Sequence, residues 1–334
     1  MKKRGIIASN IQKKKMGTPH SPRKGSLQVW PRKRAKRIYP KVRTWPNIKD
    51  KILGFAGYKV GMCHVILPDN RKNSPTKNEL ISWPATIVEC PPIKVFGVRF
   101  YSSDSYGLHP KKDVLLSFPK ELSRKLVKPK KINDKALDSI KTDDYSHVAL
   151  LVMTQPSSTT LGKKKPEVFE IMYGSKDISK IKELAGKDIT VDQVISEGDL
   201  IDVHAVTRGK GLQGPTKRFG LALRHHKSEK TKRGPGTLGP WHPAKVMFMV
   251  PHAGQMGYHA RTDYNKQVLK IAKPEELQKS GGHINYGVIK NTCIIIKGSI
   301  PGSKKRLVRF NAAIRPNKKL SELVPQVNQI ILEK

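Results

Sequence analysis

Apolar positions along this chain fall mostly into short alternating runs with a period of two. This is the pattern of half-buried strands. ILGFAGYKVGMCHVIL (52–67) alternates apolar with small residues and carries three glycines, which predicts a tightly curved β-hairpin. A turn-rich stretch follows from Pro68 to Asn78. Next come ATIVEC (85–90) and KVFGVRFY (94–101), a strand pair hinged at Pro91-Pro92. HVALLVMT (147–154), EVFEIMY (167–173) and DLIDVHAV (199–206) read as strands, and 176–185 as a short helix. The stretch 108–141 looks helical in patches. Late in the chain VIKNTCIIIK (288–297) and RLVRF (306–310) flank a turn at Pro301-Gly302, and 320–334 is long enough to add a helix or a strand.

Two stretches break this texture. Residues 1–49 show no sustained period and are interrupted by Gly5, Gly17, Gly25 and by Pro19, Pro22, Pro31, Pro40 and Pro46. They read as an extended arm. Residues 207–242 are dominated by glycine and lack apolar periodicity, and a structureless loop this long inside a compact domain implies a partner other than its own protein. The expected organisation is a basic N-terminal extension (1–49), a β-barrel domain (50–204 and 263–334) with an inserted subdomain at about 100–145, and a basic central extension (205–262). Strands that resume after each excursion suit a closed barrel, so the fold class is mainly β with an α+β insertion.

Charge sharpens this division. The 334 residues hold 65 Lys or Arg against 26 Asp or Glu. Residues 1–49 contain 16 cations and no acid; 203–262 contain 11 with one acid, Glu229; 277–321 contain ten with none. Residues 101–199 are nearly balanced, 17 to 15. Blocks that repel themselves call for a polyanion, and nucleic acid is the natural one. An anionic membrane would need an amphipathic face, which the arm's prolines break. The opening MKKRGIIASNIQKKK lacks the apolar core of a signal peptide.

The motifs carry little catalytic chemistry. RGKGLQG (208–214) is a literal GxGxxG after a strand, yet Pro215 and TKRFG follow where an amphipathic helix should open, and the GK[ST] end of a phosphate-binding loop is absent. Its glycines instead bring backbone N–H groups near phosphates that Arg208, Lys210, Lys217 and Arg218 neutralise. His225, His226 and His242 lie among cations that oppose a dication, so RNA contact is preferred to metal. Cys63, Cys90 and Cys293 are scattered without a CxxC pair and read as partly buried thiols in a reducing cytosol. Neither Asp143-Asp144 nor any Ser-His-Asp or Cys-His set suggests catalysis, so the chain reads as a non-enzyme without cofactor or metal. Trp30, Tyr39 and Trp45 either stack on RNA bases or tuck back onto the domain. Trp241, between Pro240 and His242, is either a stacking tip or a return to the core. Arg23, Lys24, Arg32, Lys33, Arg34, Arg224, Lys232, Arg233, Tyr258, His259, Arg261, Lys304, Lys305 and Arg306 complete the candidate RNA contacts. Asp263 and Asn265 read as turn or cap residues.

With these residues in view, the chain resembles the universal large-subunit ribosomal protein three family in its archaeal and eukaryotic form. The resembling segments are GSLQVWPRKRA (25–35), GFAGYKVGMCHV (54–65), ATIVECPPIKVFGVRFY (85–101), DVHAVTRGKGLQGPTKRFG (202–220), GTLGPWHPAKVMF (236–248), GQMGYHARTDYNKQV (254–268) and GSIPGSKKRLVRF (298–310). The resemblance implies a six-stranded translation-type β-barrel whose arm and central loop penetrate large-subunit (23S-type) ribosomal RNA. It implies a loop tip, matched by Trp241, that reaches toward the peptidyl-transferase region, a role in nucleating early subunit assembly, and a seat near the surface for translation GTPases. It further implies a cytoplasmic place in the ribosome beside ribosomal proteins, including the fourteen and twenty-four types. Glu229 occupies the position of a methylated histidine in eukaryotic relatives. The end at Lys334 and the Lys-rich composition favour an archaeal source. A free-standing RNA chaperone or translation factor with the same barrel is the rival reading, and an RNA-modifying enzyme a more distant one.

Overall fold

The computed structural model describes residues 25–71, 73–130, 137, 140, 144–228, 230–317 and 324–332. Contacts divide the chain into two units, one formed by residues up to Lys36 with Thr207–His259, the other by Arg37–Val206 with Ala260–Lys334.

The larger unit is built on a closed ring of six antiparallel strands. In order around the ring these are β1 (Gly54–Pro68), β2 (Leu80–Glu89), β12 (Cys293–Lys297), β11 (Ala260–Ala272), β8 (Leu200–Val206) and β13 (Leu307–Ala312), and β13 pairs back onto β1. A short strand, β14 (Gln329–Leu332), adds to the far half of β1. Closure removes the open edges of the six strands. It also lets every second side chain bury against its neighbours, and Phe55, Val65, Ile87, Val203, Val268, Ile294 and Val308 are all within 2% of complete burial.

Residues 52–67 are not the expected hairpin. They form one long strand with a bulge between Lys59 and Gly61. The glycines serve close approach rather than turning: a Cβ on Gly57 would lie 2.7 Å from both the Glu89 carbonyl oxygen and the Cys90 Sγ.

Between β2 and β8 the chain builds a second sheet. Its strands are β3 (Ile93–Asp104), β4 (Gly107–Leu115), β5 (His147–Thr154), β6 (Val168–Tyr173) and β7 (Asp188–Ile189), in the order β4-β3-β5-β6 with β7 also on β3. The insertion expected at about 100–145 takes in only the end of β3 and the whole of β4 from this sheet, which itself runs from Ile93 to Ile189. Of the expected helical patches, the described residues contain only a 3₁₀ turn, Lys120–Arg124, and the isolated 3₁₀ position Leu137, while 107–115 is an edge strand exposed from Gly107 to Asp113. The helix expected at 176–185 is α1 (Ile178–Leu184).

Residues 37–49 belong with this unit. Tyr39 is 5% exposed and donates its hydroxyl to the Val168 carbonyl at 2.6 Å; Val42 is buried and Trp45 packs on the core. Arg309, itself buried, donates to the carbonyls of Pro40 (3.1 Å) and Glu170 (2.5 Å) and lies 4.4 Å from the Phe169 ring centre. Burial lowers its pKa to about 10. A guanidinium held by carbonyls and a ring face thus stitches the 37–43 segment to both sheets. Glu89, completely buried, accepts from the Tyr286 hydroxyl, from the amides of Lys290 and Asn291 (3.0 Å each) and from Asn291 Nδ2 (2.8 Å), which locks the 281–291 loop onto the ring. Cys63, Cys90 and Cys293 are free and buried, and burial pushes the Cys90 and Cys293 thiols well up. Among the described residues no helix is long and apolar enough to cross a membrane.

Candidate nucleic-acid interface

The smaller unit starts where β8 ends. Two chain segments leave and return side by side. Thr207 donates its amide to the His259 carbonyl (2.9 Å), Lys210 to Met256 (3.0 Å), and Met256 back to Gly211 (2.9 Å). The ladder ends in a two-stranded ribbon of β9 (Leu212–Gln213) and β10 (Gly254–Gln255). Gly257 is obligatory here: its φ is +71°, and a Cβ would run into the Arg208 carbonyl. Beyond the ribbon a helix does follow Gly214, contrary to the sequence expectation. It is α2 (Pro215–Phe219), five residues long, started by Pro215 and ended by Gly220 at φ +67°. It does not restore a dinucleotide fold, because β8 pairs only with antiparallel neighbours.

Three aromatic rings meet in this unit, of which Phe219 is buried, Trp30 half-buried and Phe248 63% exposed. Trp30 stacks on Phe219 (centroids 6.1 Å apart, planes at 13°) and meets Phe248 edge-on (5.8 Å, 76°). Two guanidiniums cover the stack. Arg32 lies 5.3 Å from the Trp30 ring and 4.7 Å from Phe219; Arg218 lies 5.9 and 5.1 Å away. Arg218 also donates to the carbonyls of His252 (3.0 Å) and Gln255 (3.2 Å), and its pKa is lowered by burial and then by Arg32. The arm is tied further by Ala35 N–H to the Tyr258 carbonyl (2.8 Å), by His259 Nδ1 to the Lys33 carbonyl (2.9 Å), and by Arg34 over the Tyr258 ring (5.6 Å). Farther out, Arg224 donates to the carbonyls of Pro235 and Gly236, both at 2.8 Å, and so spans the loop.

The candidate residues therefore divide. Trp30, Arg32, Arg218, Arg224 and the buried His259 hold the unit together. Lys33, Arg34, Arg208, Lys210, Lys217, Lys232 and Arg233 are exposed around it, as are His225, His226 (rings 4.0 Å apart) and His242. Tyr258 is half-buried. Trp241 is 89% exposed, and Leu238 and Val246 of the same loop are exposed as well. Arg23, Lys24 and Glu229 lie outside the described residues. Residues 25–36 and 207–259 contain 14 Lys or Arg and one acid. Such a surface carries a strong positive field.

Sequence comparison decides the family. The chain matches the ribosomal protein L3 family over residues 16–332. It is 44% identical to the large ribosomal subunit protein uL3 of Methanothermobacter thermautotrophicus over 94% of this chain and 98% of that one. It is 45% identical to the uL3 of Archaeoglobus fulgidus over 90% and 93% of the two chains. The chain belongs to the ribosomal protein L3 family. The resemblance carried by the motifs is thereby established, and the relatives named here are archaeal.

In the L3-family ring itself, the remaining candidates sit on the larger unit. Lys304, Lys305 and Arg306 form a turn held from beneath by Lys59, whose Nζ donates to the carbonyls of Ile300 (2.6 Å) and Gly302 (3.2 Å). Burial lowers the Lys59 pKa, with Lys304 adding to the effect. Lys304 Nζ reaches the Ile284 carbonyl at 3.2 Å, Lys305 is exposed, and Arg261 donates to the Ala260 carbonyl. Asp263 pairs with Lys266 (2.9 Å), and Asn265 takes a φ of +53° at the β11 irregularity, as turn residues do. Phe219, Phe248 and Lys59 escaped sequence reasoning. Phe219 and Lys59 sit in no apolar run, Phe248 sits in the short run 246–250 within the basic extension, and only tertiary contact reveals their role.

Proposed function

We propose that this L3-family chain is a structural, non-catalytic constituent of the large ribosomal subunit in the cytoplasm that binds 23S-type ribosomal RNA directly. In this reading the six-strand ring is the translation-type barrel. Its arm and central extension replace counterions between RNA helices that would otherwise repel, help nucleate early assembly, and carry Trp241 toward the peptidyl-transferase centre. Neighbouring ribosomal proteins, the fourteen and twenty-four types among them, complete its surroundings. The observation that carries the reading is the smaller unit: 14 cations against one acid, with Trp241 almost wholly in solvent. A large exposed indole has nothing to gain in water and much to gain on a base, about 1–3 kcal/mol per stacked base. Contact with roughly ten phosphates makes affinity for rRNA fall by about three to five decades between 50 and 200 mM salt. The deciding experiment is sedimentation of large subunits after a high-salt wash. A constituent stays at one copy per subunit; a cycling factor or RNA chaperone is washed off, and that result ends the proposal.

A further inference from the structure

The near-neutral stretch 101–199 is neutral only along the chain. Folding sorts its charges. Arg99 takes up both Asp113 (2.6 Å) and Glu170 (2.5 Å), Lys180 lies between Asp177 (3.3 Å) and Asp50 (2.9 Å), and Lys94 and Lys51 face Asp188 and Asp199. Asp113, Glu170, Asp177, Asp188 and Asp199 are thus taken up in ion pairs. Lys120, Arg124, Lys128, Lys130, Lys164 and Lys165 are all exposed, and none of the six forms a salt bridge with a described residue.

These cations are gathered by design of the fold. Leu122, completely buried, and Phe118 pack with Phe96, Leu151, Met153 and Val168, which seats the 3₁₀ turn Lys120–Arg124 on the inserted sheet. Glu167, 7% exposed, begins the run into β6 and takes Lys125 Nζ at 3.2 Å together with Lys163 Nζ. Its own amide donates to Thr154 Oγ1 at 3.0 Å, which fixes it to β5. One buried carboxylate therefore draws together two basic segments, 120–130 and 163–165, that would otherwise repel each other. Together they carry eight Lys or Arg against Glu121 and Glu167. Val127, 94% exposed, stands between the cations of the first segment.

We propose that this face of the inserted sheet is a second phosphate-backbone contact for folded RNA, separate from the arm and central extension. It rests on the reading that the chain lies against ribosomal RNA. RNA fits better than an acidic protein partner for two reasons. Five of the six unpaired cations are lysines, which serve as mobile point charges for phosphates but are depleted at protein–protein interfaces. Among its described residues the face also offers no aromatic anchor, and its exposed apolar side chains, Leu126 (40%) and Val127 (94%), are a single adjacent pair, too small for the apolar patch of a protein interface.

The test uses the full chain. A photoreactive benzoylphenylalanine replaces Val127 in assembled large subunits, and the adduct is typed by nuclease and protease digestion. The proposal expects a nuclease-sensitive RNA adduct; an adduct to protein, or none, overturns it. In parallel, Lys128, Lys130, Lys164 and Lys165 are changed together to Gln, and affinity for large-subunit rRNA is followed against salt. All four are exposed, so the circular dichroism should match the parent. The slope of log affinity against log salt should become shallower by about three. A steep slope shared by parent and variant overturns this contact while leaving the proposed function standing. A shallow slope already in the parent overturns both.

Discussion

Replacing Trp30 by Ala should release the arm from the central extension without unfolding the ring. In the smaller unit Trp30 makes one stacked and one edge-on ring contact, with Phe219 and Phe248, and lies under Arg32 and Arg218. Aromatic pairs contribute about 0.5–1.5 kcal/mol each beyond burial, and exposed cation–π contacts about 0.5–1. Two of each, allowing for non-additivity, give about 2–4 kcal/mol. That raises the open population of residues 25–36 by roughly 30- to 1,000-fold. Trypsin reads this directly, because cleavage after Arg32, Lys33 and Arg34 needs the arm extended. Its rate follows the open population when closing is fast. In the RNA-free protein, cleavage at these bonds should speed up by between one and three decades in Trp30→Ala, and by much less in Trp30→Phe. The denaturant midpoint of the ring should stay put. Equal cleavage in parent and Trp30→Ala would show that the aromatic stack does not hold the arm.

Trp241→Ala removes an indole that is 89% exposed, so thermal unfolding should be unchanged while peptide synthesis by reconstituted subunits changes; identical synthesis refutes a tip role. Glu89→Ala leaves Tyr286, Lys290 and Asn291 without their common acceptor and should cost about 3–5 kcal/mol in urea unfolding, whereas a cost under about 1 would mean that the 281–291 loop is held by other contacts. His204 donates Nε2–H to Asn311 (2.5 Å), accepts from Thr262 at Nδ1 (2.9 Å), and has its pKa lowered from 6.5, chiefly by burial. Below pH 6.5 the unfolded chain therefore binds the proton that the folded one refuses. The His204 share of stability is complete above pH 6.5 and is lost as pH falls from there through the folded pKa. His204→Gln should flatten the fall in unfolding midpoint between pH 7 and 5; parallel falls in parent and variant would sink this assignment.

Much of the strand framework is legible in the sequence. HVALLVMT is β5 residue for residue, and DLIDVHAV and EVFEIMY locate β8 and β6, because buried strands write their apolar runs plainly. The misses share a physical cause. GLHPKKDVL is a strand with seven exposed positions in a row, so no burial pattern marks it. Residues 52–67 read as a hairpin because glycine signals both turning and close approach, and only the β2 backbone beside Gly57 tells the two apart. Tyr39 and Trp45 sit among bases, yet their rings are claimed by the ring's core, while Trp30 is claimed by Phe219 and Phe248. The cations of the interface could be counted from the sequence; which of them brace the unit and which face outward could not, since guanidiniums do both.

The means of bracing is itself dictated by charge. A carboxylate inside the smaller unit would steady its arginines, but on the proposed RNA-binding role it would also cancel positive charge and repel the phosphates of the partner. The chain places one acid among the 14 cations there and uses neutral partners instead: ring faces for Arg32 and Arg218, carbonyls for Arg218 and Arg224. Neutral acceptors hold a guanidinium in place without reducing the field it projects. The inserted sheet solves the same problem differently. There Glu167 is buried beneath its lysines, so it cancels part of their charge at the anchor, while the outer ammonium groups form no salt bridge with a described residue. Both devices fix the backbone that carries the cations, so in the proposed reading less of the chain has to be ordered on binding than in a disordered basic tail.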